Sequence, residues 1–412
     1  MKRALILALI AAATLGLLQS ATSANAGITI REGLYRVAQT PPMGWDSYGY
    51  GNLNVTARDV EQEADAMVSK GMKAAGYRYV IIDAGWDLPT RPGGRLTPDP
   101  AKFPNGIKAV ANYVHRLGLE IGIYSTVGPT TCRHEYAGSF GHYRQDADRF
   151  ASWGVDYVKI DQCTAGETGQ SAQALFSRFG RALAAAGRKY HHPMVYSIST
   201  NRPAIARPTA WAPDVGNLWR TWTDVRRYWY AHVNGWDQGV FSNFRANVAP
   251  GMARLAGPGH WNDPDLLQIG NGRLTPNESR AQFSLWAEMA SPLIAGNHLT
   301  TMSKQTQAFL TNRAVIAVDQ DPLGKQGRVI TSAGGRWVMT KPLADGARAV
   351  VLFNAGNTPA TITTTTGAVG LPRAATYHVT DLWHHTCTTI KRGRITATVG
   401  VHDVQMLRIS AA

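Results

Sequence analysis

Short apolar runs alternate with helix-like segments from residue 40 to about residue 295. The clearest apolar runs are nearly continuous, which is typical of strands buried on both faces of a parallel sheet. They are residues 79–82, 120–124, 157–160 and 195–198. The segments between them have the spacing of apolar positions that amphipathic helices show. The clearest are residues 60–70, 106–117, 146–153 and 172–186.

Repeated about eight times over roughly 270 residues, this strand–helix alternation predicts an α/β fold of the (β/α)₈ TIM-barrel type. A doubly wound open sheet is the alternative, but no GxGxxG sequence follows the first strand.

The pattern changes after residues 319–324, which read DQDPLG. Helical periodicity stops there, and short strand-like runs separated by Gly, Pro and Asn follow at residues 336–340, 349–353 and 361–363. We therefore predict a catalytic barrel over residues 27–322 and a C-terminal antiparallel β-sandwich domain over residues 323–412.

The first residues have the features of a secretory signal peptide. Lys2 and Arg3 precede an apolar run at residues 4–18, and residues 24–26 form an A-x-A cleavage sequence. We expect residues 1–26 to be removed after Ala26 and the protein to be secreted. No later run approaches the ~18 apolar residues of a membrane span, so we expect no membrane anchor.

The 412 residues carry a formal net charge of +14. Lysines and arginines are scattered singly, without a run of five or more, which favours a basic soluble surface over a nucleic-acid-binding face. Nucleic acid is therefore not expected as a partner. The sequence does not indicate an oligomeric state.

Three cysteines are present. Cys132 and Cys163 each follow a predicted strand, so their loops are able to meet, and export permits disulfides. Cys387 is left over, and we expect a buried or free thiol there.

Acidic and polar residues follow one predicted strand after another. They are Asp83, Asp161, Ser199, Arg220, Asp224, Asp263 and Asp265. An isolated Asp after a strand often caps the next helix, but several on one rim of a barrel would repel each other without a ligand. Barrel enzymes collect their polar groups at this rim. Two carboxyl groups, one attacking and one protonating the leaving oxygen, are what glycoside hydrolysis requires.

Two basic residues accompany the candidate carboxylates. Lys159 lies two positions before Asp161 and faces the same side of the strand, so we expect its ammonium to keep Asp161 ionised. The alternative is a structural Lys–Asp pair in the barrel interior. Arg220 precedes Asp224 by four positions and is expected to position it or to bind a sugar hydroxyl.

These motifs, in this order, resemble those of the family 27 glycoside hydrolases, the α-galactosidase and α-N-acetylgalactosaminidase family. The shared segments are residues 40–45 (TPPMGW), 79–83 (YVIID), 121–124 (IGIY), 157–163 (YVKIDQC), 219–220 (WR) with Asp224, 256–265 (AGPGHWNDPD) and 320–327 (QDPLGKQG). The resemblance implies a (β/α)₈ barrel followed by an antiparallel β-domain. It also implies retention of anomeric configuration through a covalent glycosyl-enzyme intermediate.

The resemblance further implies roles for individual residues. Asp161 matches the nucleophile and Asp224 the acid/base, and Cys132 and Cys163 match a family disulfide. The positions that match the family's terminal-sugar pocket are Trp45, Asp83, Tyr124, Lys159, Arg220 and Asp265. An oligosaccharide or polysaccharide is the expected substrate.

Three positions depart from the galactosidase pattern. Ala84 stands where a second carboxylate usually helps to hold the sugar. Ser199 stands where galactosidases carry a Glu near the 2-hydroxyl, and the N-acetylgalactosaminidases have Ser there. They also have a small Ala three residues later, where this chain has Arg202. Asp46 replaces the Asn of the usual MGWNSW motif, and we include both Asp46 and Ser199 among the sugar-binding candidates.

These departures leave several substrates open. An α-galactoside is the first expectation, and the alternatives within the family are an α-N-acetylgalactosaminide, a β-L-arabinopyranoside and an isomaltose-releasing glucan hydrolase. An inactive sugar-binding protein is the alternative of another class. The histidine pairs at residues 191–192 and 384–385 lack the spacing of zinc ligands, so neither a metal site nor a cofactor is expected.

Overall fold

The structure is a computed structural model that describes residues 37–51, 53–200, 207–391 and 393–412. The predicted signal peptide and Arg202 lie outside the described residues.

Eight parallel strands form the first sheet, in the order β10-β1-β2-β3-β4-β5-β6-β9. Their bounds are β1 Met43–Asp46, β2 Tyr79–Ile82, β3 Glu120–Thr126, β4 Tyr157–Asp161, β5 Val195–Ser199, β6 Leu218–Arg220, β9 Trp261–Asp263 and β10 Leu293–Ala295. A parallel bridge between Leu267, beyond β9, and Ala295 brings the two outer strands together. The sheet is thus a (β/α)₈ barrel, as the alternation predicted. Between β6 and β9 lies a separate antiparallel hairpin of β7, Ala231–Val233, and β8, Trp236–Gln238.

Helices occupy most of the connections between the barrel strands. They are α1 Tyr48–Gly51, α2 Ala57–Ser69, α3 Met72–Ala75, α4 Gly106–Arg116, α5 Tyr143–Trp153, α6 Ala172–Tyr190, α7 Val240–Asn247, α8 Pro276–Glu288, α9 Lys304–Leu310 and α10 Arg313–Asp319. Single 3₁₀ turns lie at Pro92–Gly94, Ala165–Thr168, Pro208–Ala210, Ala212–Asp214 and Met252–Arg254. Helices α2 and α8 begin at capping boxes, in which Thr56 pairs with Asp59 and Thr275 with Glu278.

The predicted elements agree with the observed ones apart from their ends. The helix predicted at residues 146–153 begins three residues earlier, at Tyr143, and the one predicted at residues 172–186 continues to Tyr190. Strand β4 continues one residue further than predicted and includes Asp161 itself. Apolar periodicity locates the buried face of an element, whereas its ends depend on local capping.

The second domain consists of antiparallel strands only. They are β11 Arg328–Ala333, β12 Arg336–Pro342, β13 Arg348–Asn354, β14 Ala360–Thr365, β15 Thr376–Asp381, β16 Cys387–Lys391, β17 Arg394–Val399 and β18 Asp403–Ala411. Six of them form one sheet in the order β11-β12-β13-β18-β15-β16, and β14 pairs with β17 in a second sheet. Apolar side chains between the two sheets form a separate core. This arrangement confirms the predicted β-sandwich.

The larger sheet is buried on both faces at its centre. Val350 and Leu352 of β13 point into the sandwich core, whereas Val351 and Phe353 join the core shared with the barrel. Successive side chains of a strand point to opposite faces, so β13 connects the two domains. Helix α8 lies at this junction, and ten of its residues are buried.

A fully buried lysine lies at the same junction. The Nζ atom of Lys341 donates to the carbonyl oxygens of Ala287 at 3.3 Å and Val318 at 2.5 Å. Burial lowers the pKa of Lys341, and burial likewise raises the pKa values of Glu288 and Asp319 to about 8. The domains therefore share a buried polar contact at this junction.

Cys132 and Cys163 form a disulfide, which confirms the expected pair. Cys387 is a free, exposed thiol in β16, which confirms the second of the two expectations for it, a free thiol rather than a buried one. Its strand lies at the edge of the sheet, where one side remains open to solvent. Among the described residues, no helix is both long and apolar enough to cross a membrane.

Candidate active site

The carboxyl ends of the barrel strands bring the predicted polar residues together. Asp46, Asp161 and Ser199 are the last residues of β1, β4 and β5, and Arg220 is the last residue of β6. Asp83 directly follows β2. In a parallel barrel these ends share one rim, so residues far apart in the sequence meet there.

Lys159 connects two of these carboxylates. Its Nζ atom lies 3.0 Å from Oδ2 of Asp46 and 2.6 Å from Oδ2 of Asp83. Burial opposes the charge of this ammonium, but the two carboxylates raise the pKa of Lys159 well above its usual value. Burial also raises the pKa of Asp46 to about 7, against the lowering effect of Lys159. Asp46 thus supplies a second carboxylate at this lysine.

Asp161 is held by two donors. The Tyr124 hydroxyl donates to its Oδ2 atom at 3.2 Å, and the backbone N–H of Gln162 donates to Oδ1 at 2.7 Å. Burial, together with the nearby charge of Asp224, raises the pKa of Asp161 to about 7. The expectation that Lys159 keeps Asp161 ionised is therefore wrong, because the lysine pairs with Asp46 and Asp83 and its charge only partly offsets this burial.

Arg220 bridges two further carboxylates. Its Nη2 atom lies 3.1 Å from Oδ1 of Asp224 and 2.8 Å from Oδ2 of Asp265. The Asp224 side chain is 43% exposed, while those of Arg220 and Asp265 are 4% and 8% exposed. Burial opposes ionisation of Asp224, but the adjacent guanidinium holds the pKa of its carboxyl below the usual value. The predicted positioning of Asp224 by Arg220 is confirmed by this contact.

Asp265 has a backbone conformation that is rare for a residue with a side chain. Its φ is +80°, in the left-handed region that favours glycine. Its N–H donates to Oδ1 of Asp263 at 2.7 Å, and its Oδ2 accepts from the N–H of Val225 at 2.8 Å. Strained backbone of this kind concentrates at functional sites, where surrounding contacts maintain it. Here these contacts fix the carboxylate against Arg220, beside the loop that carries Asp224.

Two positions that depart from the galactosidase pattern, Ser199 and Ala84, are buried beside this cluster, as is Trp45, which matches the pattern. Ser199 is 4% exposed and aligns with Asp161 across the β4–β5 pair. Ala84 is 6% exposed and donates its N–H to Oδ1 of Asp83 at 2.8 Å. Trp45 is fully buried, and its indole N–H donates to the carbonyl of Asn297 at 2.9 Å. Sugar contacts by Ser199 and Trp45 stay predictions.

Helix capping does not explain the positions of Asp83 and Asp161. The side chains that cap α2, α6 and α8 belong to Thr56, Ser171 and Thr275. Asp83 and Asp161 instead accept hydrogen bonds from Ala84 and Gln162, the residues next to them. Their position therefore needs another explanation.

Two aromatic residues of the site were missed in the sequence. Tyr48 follows β1 and is 41% exposed, and the charge of Asp224, second to burial, raises its pKa. Trp222 lies two residues before Asp224, and its indole N–H donates to the carbonyl of Asp237 at 2.9 Å. The signal for Trp222 was its place between Arg220 and Asp224, two residues before the predicted acid/base.

One grouping in the described part of the chain has the geometry of a metal site. It consists of Cys132, Asp161 and Cys163. Since the two cysteines are joined in a disulfide, their sulfurs are not available as thiolate ligands, and the grouping reflects the disulfide beside the candidate nucleophile.

The barrel and its rim define a class of enzyme. Two carboxyl groups of opposite pKa behaviour, Asp161 and Asp224, lie close enough that the charge of one raises the pKa of the other. Glycosidases use such a pair, and the surrounding hydrogen-bonding groups suit a sugar. Fold and site together indicate a glycoside hydrolase.

Comparison with known proteins identifies the family. A family model described as alpha galactosidase A matches residues 40–321, and one described as alpha galactosidase C-terminal beta sandwich domain matches residues 333–409. The chain is 39% identical over 371 residues to an α-galactosidase of Cyamopsis tetragonoloba, covering 90% of this chain and 86% of the relative. It is 36% identical over 364 residues to an α-N-acetylgalactosaminidase of Gallus gallus, covering 84% and 87%.

A solved structure gives the same assignment. The crystal structure of α-galactosidase I from Mortierella vinacea is 32% identical and matches with a TM-score of 0.85, covering 91% of this chain and 98% of that one. The protein therefore belongs to the α-galactosidase family, glycoside hydrolase family 27, and is a glycoside hydrolase.

Proposed function

We propose that the protein is an exported, exo-acting α-galactosidase that hydrolyses terminal α-galactoside bonds of an oligosaccharide or polysaccharide with retention of configuration. Asp161 attacks the anomeric carbon and forms a covalent glycosyl-Asp intermediate. Asp224 first protonates the leaving oxygen and then, as a base, activates the water that hydrolyses the intermediate. The relatives that carry the name α-galactosidase support the choice of sugar.

The observation that carries this proposal is the placement of two separately held carboxyl groups on one rim of the barrel. Asp161 accepts hydrogen bonds from the Tyr124 hydroxyl and the Gln162 N–H, whereas Asp224 contacts the Arg220 guanidinium directly. Burial raises the pKa of Asp161 to about 7, while Arg220, against burial, holds the pKa of Asp224 below its usual value. These directions favour the shared proton on Asp161, so the reactive form, with the proton on Asp224, is the less populated one in the free protein.

The pocket beside Asp161 is suited to hold the terminal sugar. Asp46, Asp83 and Lys159 form a charged, hydrogen-bonded group on one side, and Arg220 with Asp265 forms another. Charged groups of this kind bind sugar hydroxyls strongly, at about 1.5–3 kcal/mol for each hydrogen bond to a charged group. We infer that Asp46 partly replaces the carboxylate that Ala84 lacks.

A second candidate sugar is N-acetylgalactosamine. Ser199 is small, buried and aligned with Asp161, which supports space for an acetamido group near the 2-position. The α-N-acetylgalactosaminidase relative is consistent with this alternative. β-L-Arabinopyranosides and isomaltosides remain the other candidates from the sequence.

A panel of aryl glycosides tests the proposal. We expect cleavage of the aryl α-galactoside, with smaller kcat/KM for the α-N-acetylgalactosaminide, the β-L-arabinopyranoside and the isomaltoside. Proton NMR of the first-formed sugar should show the α-anomer. A first-formed β-anomer would contradict the covalent intermediate, and preference for another glycoside would replace the proposed sugar. Asp161→Asn, which keeps the shape of the side chain, is the inactive control.

Export is tested separately. We propose that residues 1–26 direct secretion, and N-terminal sequencing of the protein recovered from culture medium should begin at Gly27. Retention of the full chain inside the cell would contradict this part of the proposal without affecting the activity.

A further inference from the structure

A small β-hairpin stands outside the barrel sheet, on the loop that carries Asp224. Strands β7 and β8 pair with Val233 opposite Trp236, and the turn between them is Asn234-Gly235. Both turn residues have positive φ, +52° and +80°, as two-residue hairpin turns require. The hairpin therefore has a defined conformation.

Polar contacts attach the hairpin to the Asp224 loop. The carbonyl of Asp237 accepts from the indole N–H of Trp222 at 2.9 Å, and Oε1 of Gln238 accepts from Nε of Arg226 at 3.2 Å. Oδ1 of Asp237 also accepts from the Tyr230 hydroxyl at 2.9 Å. Since Trp222 and Arg226 flank Asp224 by two residues on either side, the hairpin and the acid/base loop form one unit.

The hairpin exposes large aromatic side chains at this place. Trp236 is 48% exposed and Tyr230 is 46% exposed. The ring centroids of Trp222 and Trp236 lie 6.3 Å apart, at an interplanar angle of 60°, so the two indoles form adjoining, tilted surfaces. Exposed aromatic surface that rims a polar site is typical of ligand binding.

The position of Asp224 determines which part of a substrate meets these rings. A general acid must lie beside the leaving oxygen, so its loop flanks the leaving group rather than the terminal sugar. Two residues of chain span at most about 7 Å, which keeps Trp222 close to that oxygen, and Trp236 lies next to Trp222. Aromatic faces pack well against the C–H faces of sugar rings, while the hydroxyls remain in water.

We propose that Trp222 and Trp236 form a binding subsite for the leaving-group sugars of an oligosaccharide or polysaccharide substrate. The subsite would let the enzyme prefer a terminal sugar attached to a carbohydrate chain over the same sugar on a small aglycone. This inference rests on the proposed function, because it assumes that Asp224 is the acid/base.

The test compares two substrates that share a terminal sugar. For the wild type and Trp236→Ala, kcat/KM is measured on 4-nitrophenyl α-galactoside and on galactosylated mannotriose. We expect the ratio of the oligosaccharide value to the aryl value to fall about fivefold to tenfold in Trp236→Ala, which is the effect of one aromatic contact. The loss should appear mainly in KM, and Trp236→Phe should recover most of it.

Tyr190→Ala is the matched control, because Tyr190 is also an exposed aromatic, 38% exposed, at the end of α6. It should leave the ratio unchanged. An unchanged ratio in Trp236→Ala, or an equal loss in both variants, overturns the subsite. If the wild type cleaves neither galactoside, the proposed function fails instead. Tryptophan fluorescence titration with mannotriose then decides the subsite: saturable binding weakened by Trp236→Ala supports it, and absence of that weakening overturns it.

Discussion

Replacing the candidate nucleophile Asp161 by Asn should stabilise the folded protein, but only at pH values at which the Asp161 carboxyl would be charged. Asn at position 161 keeps the size of Asp. The Asn carbonyl oxygen can accept a hydrogen bond from the Gln162 N–H, and the Asn amide can donate one to the Tyr124 hydroxyl. These are the two groups that now donate to the oxygens of the Asp161 carboxylate. The main change in Asp161→Asn is therefore the loss of a charge that is poorly solvated and repelled by Asp224.

The size of the effect follows from the pKa. The folded protein raises the pKa of Asp161 from 3.8 to about 7, and each pKa unit corresponds to 1.36 kcal/mol, so the upper value is about 4 kcal/mol. Because the carboxyl is partly open to solvent, we halve this to about 2 kcal/mol. For a chain of this size, that corresponds to a rise in Tm of about 2 °C.

The sign depends on pH. Below about 4, Asp161 is protonated in both the folded and unfolded protein and contributes no difference. As pH rises towards about 7, the unfolded chain has already lost the proton that the folded state retains, so the wild type loses stability. The gain from Asp161→Asn should therefore be near zero at pH 4 and complete at pH 8.

Thermal unfolding at pH 4, 5.5 and 8 measures this gain, and Asp156→Asn is the opposite control. Oδ2 of Asp156 accepts from the Ile121 N–H and contacts His115 Nε2, both at 2.8 Å. Burial opposes its ionisation, but hydrogen bonds from His192 and His115 lower its pKa, so Asp156→Asn should be less stable than the wild type at pH 8 and closer to it at pH 4. A gain for Asp161→Asn that does not change with pH would refute the reasoning.

Three further outcomes are expected. The pH profile of kcat/KM should fall above about pH 7, where Asp161 loses the proton that the pair shares, and should fall on the acid side only below about pH 4; a plateau extending to pH 9 would contradict it. Arg220→Lys should lower kcat/KM by about a hundredfold, because one ammonium replaces the planar guanidinium that contacts both Asp224 and Asp265. As a check, the Tm of the variant should not fall to a comparable extent. Replacing Cys132 and Cys163 together by Ser should lower the free energy of unfolding by about 3–4 kcal/mol, since the disulfide closes a loop with a sequence separation of 31; urea titration against the oxidised wild type measures the loss, and the reduced wild type should match the variant.

The sequence could locate the barrel and its rim because both follow from local patterns. The mostly apolar run before Asp161, interrupted by Lys159, marks a buried strand, and the polar residue at its end must lie on the rim with Asp83 and Arg220. The motifs of the family then indicate the role of each of these rim residues. For this part of the site, periodicity and topology carry the information.

The partners of the rim residues could not be predicted in the same way. Lys159 and Asp46 are 113 positions apart, and which carboxylate a long ammonium side chain selects depends on distances across the barrel. The error about the ionisation of Asp161 arose there. The hairpin was missed for another reason, since strands of three residues are too short for alternation to be recognised, although Asn234-Gly235 is itself a turn signal.

The way helix α8 is enclosed has a consequence for modular engineering. At the N-terminal end of this helix, Glu278 belongs to the capping box, and its carboxylate also contacts His402 of the β-domain at 2.9 Å. At the C-terminal end, the Ala287 carbonyl accepts a hydrogen bond from Lys341. A chain cut after residue 322 would leave this helix with an apolar flank facing water and would remove the charge of Lys341, which lowers the pKa of the buried Glu288. The β-sandwich therefore acts as an obligate part of the catalytic unit, and exchange of domains between relatives should transfer the helix and the sheet together.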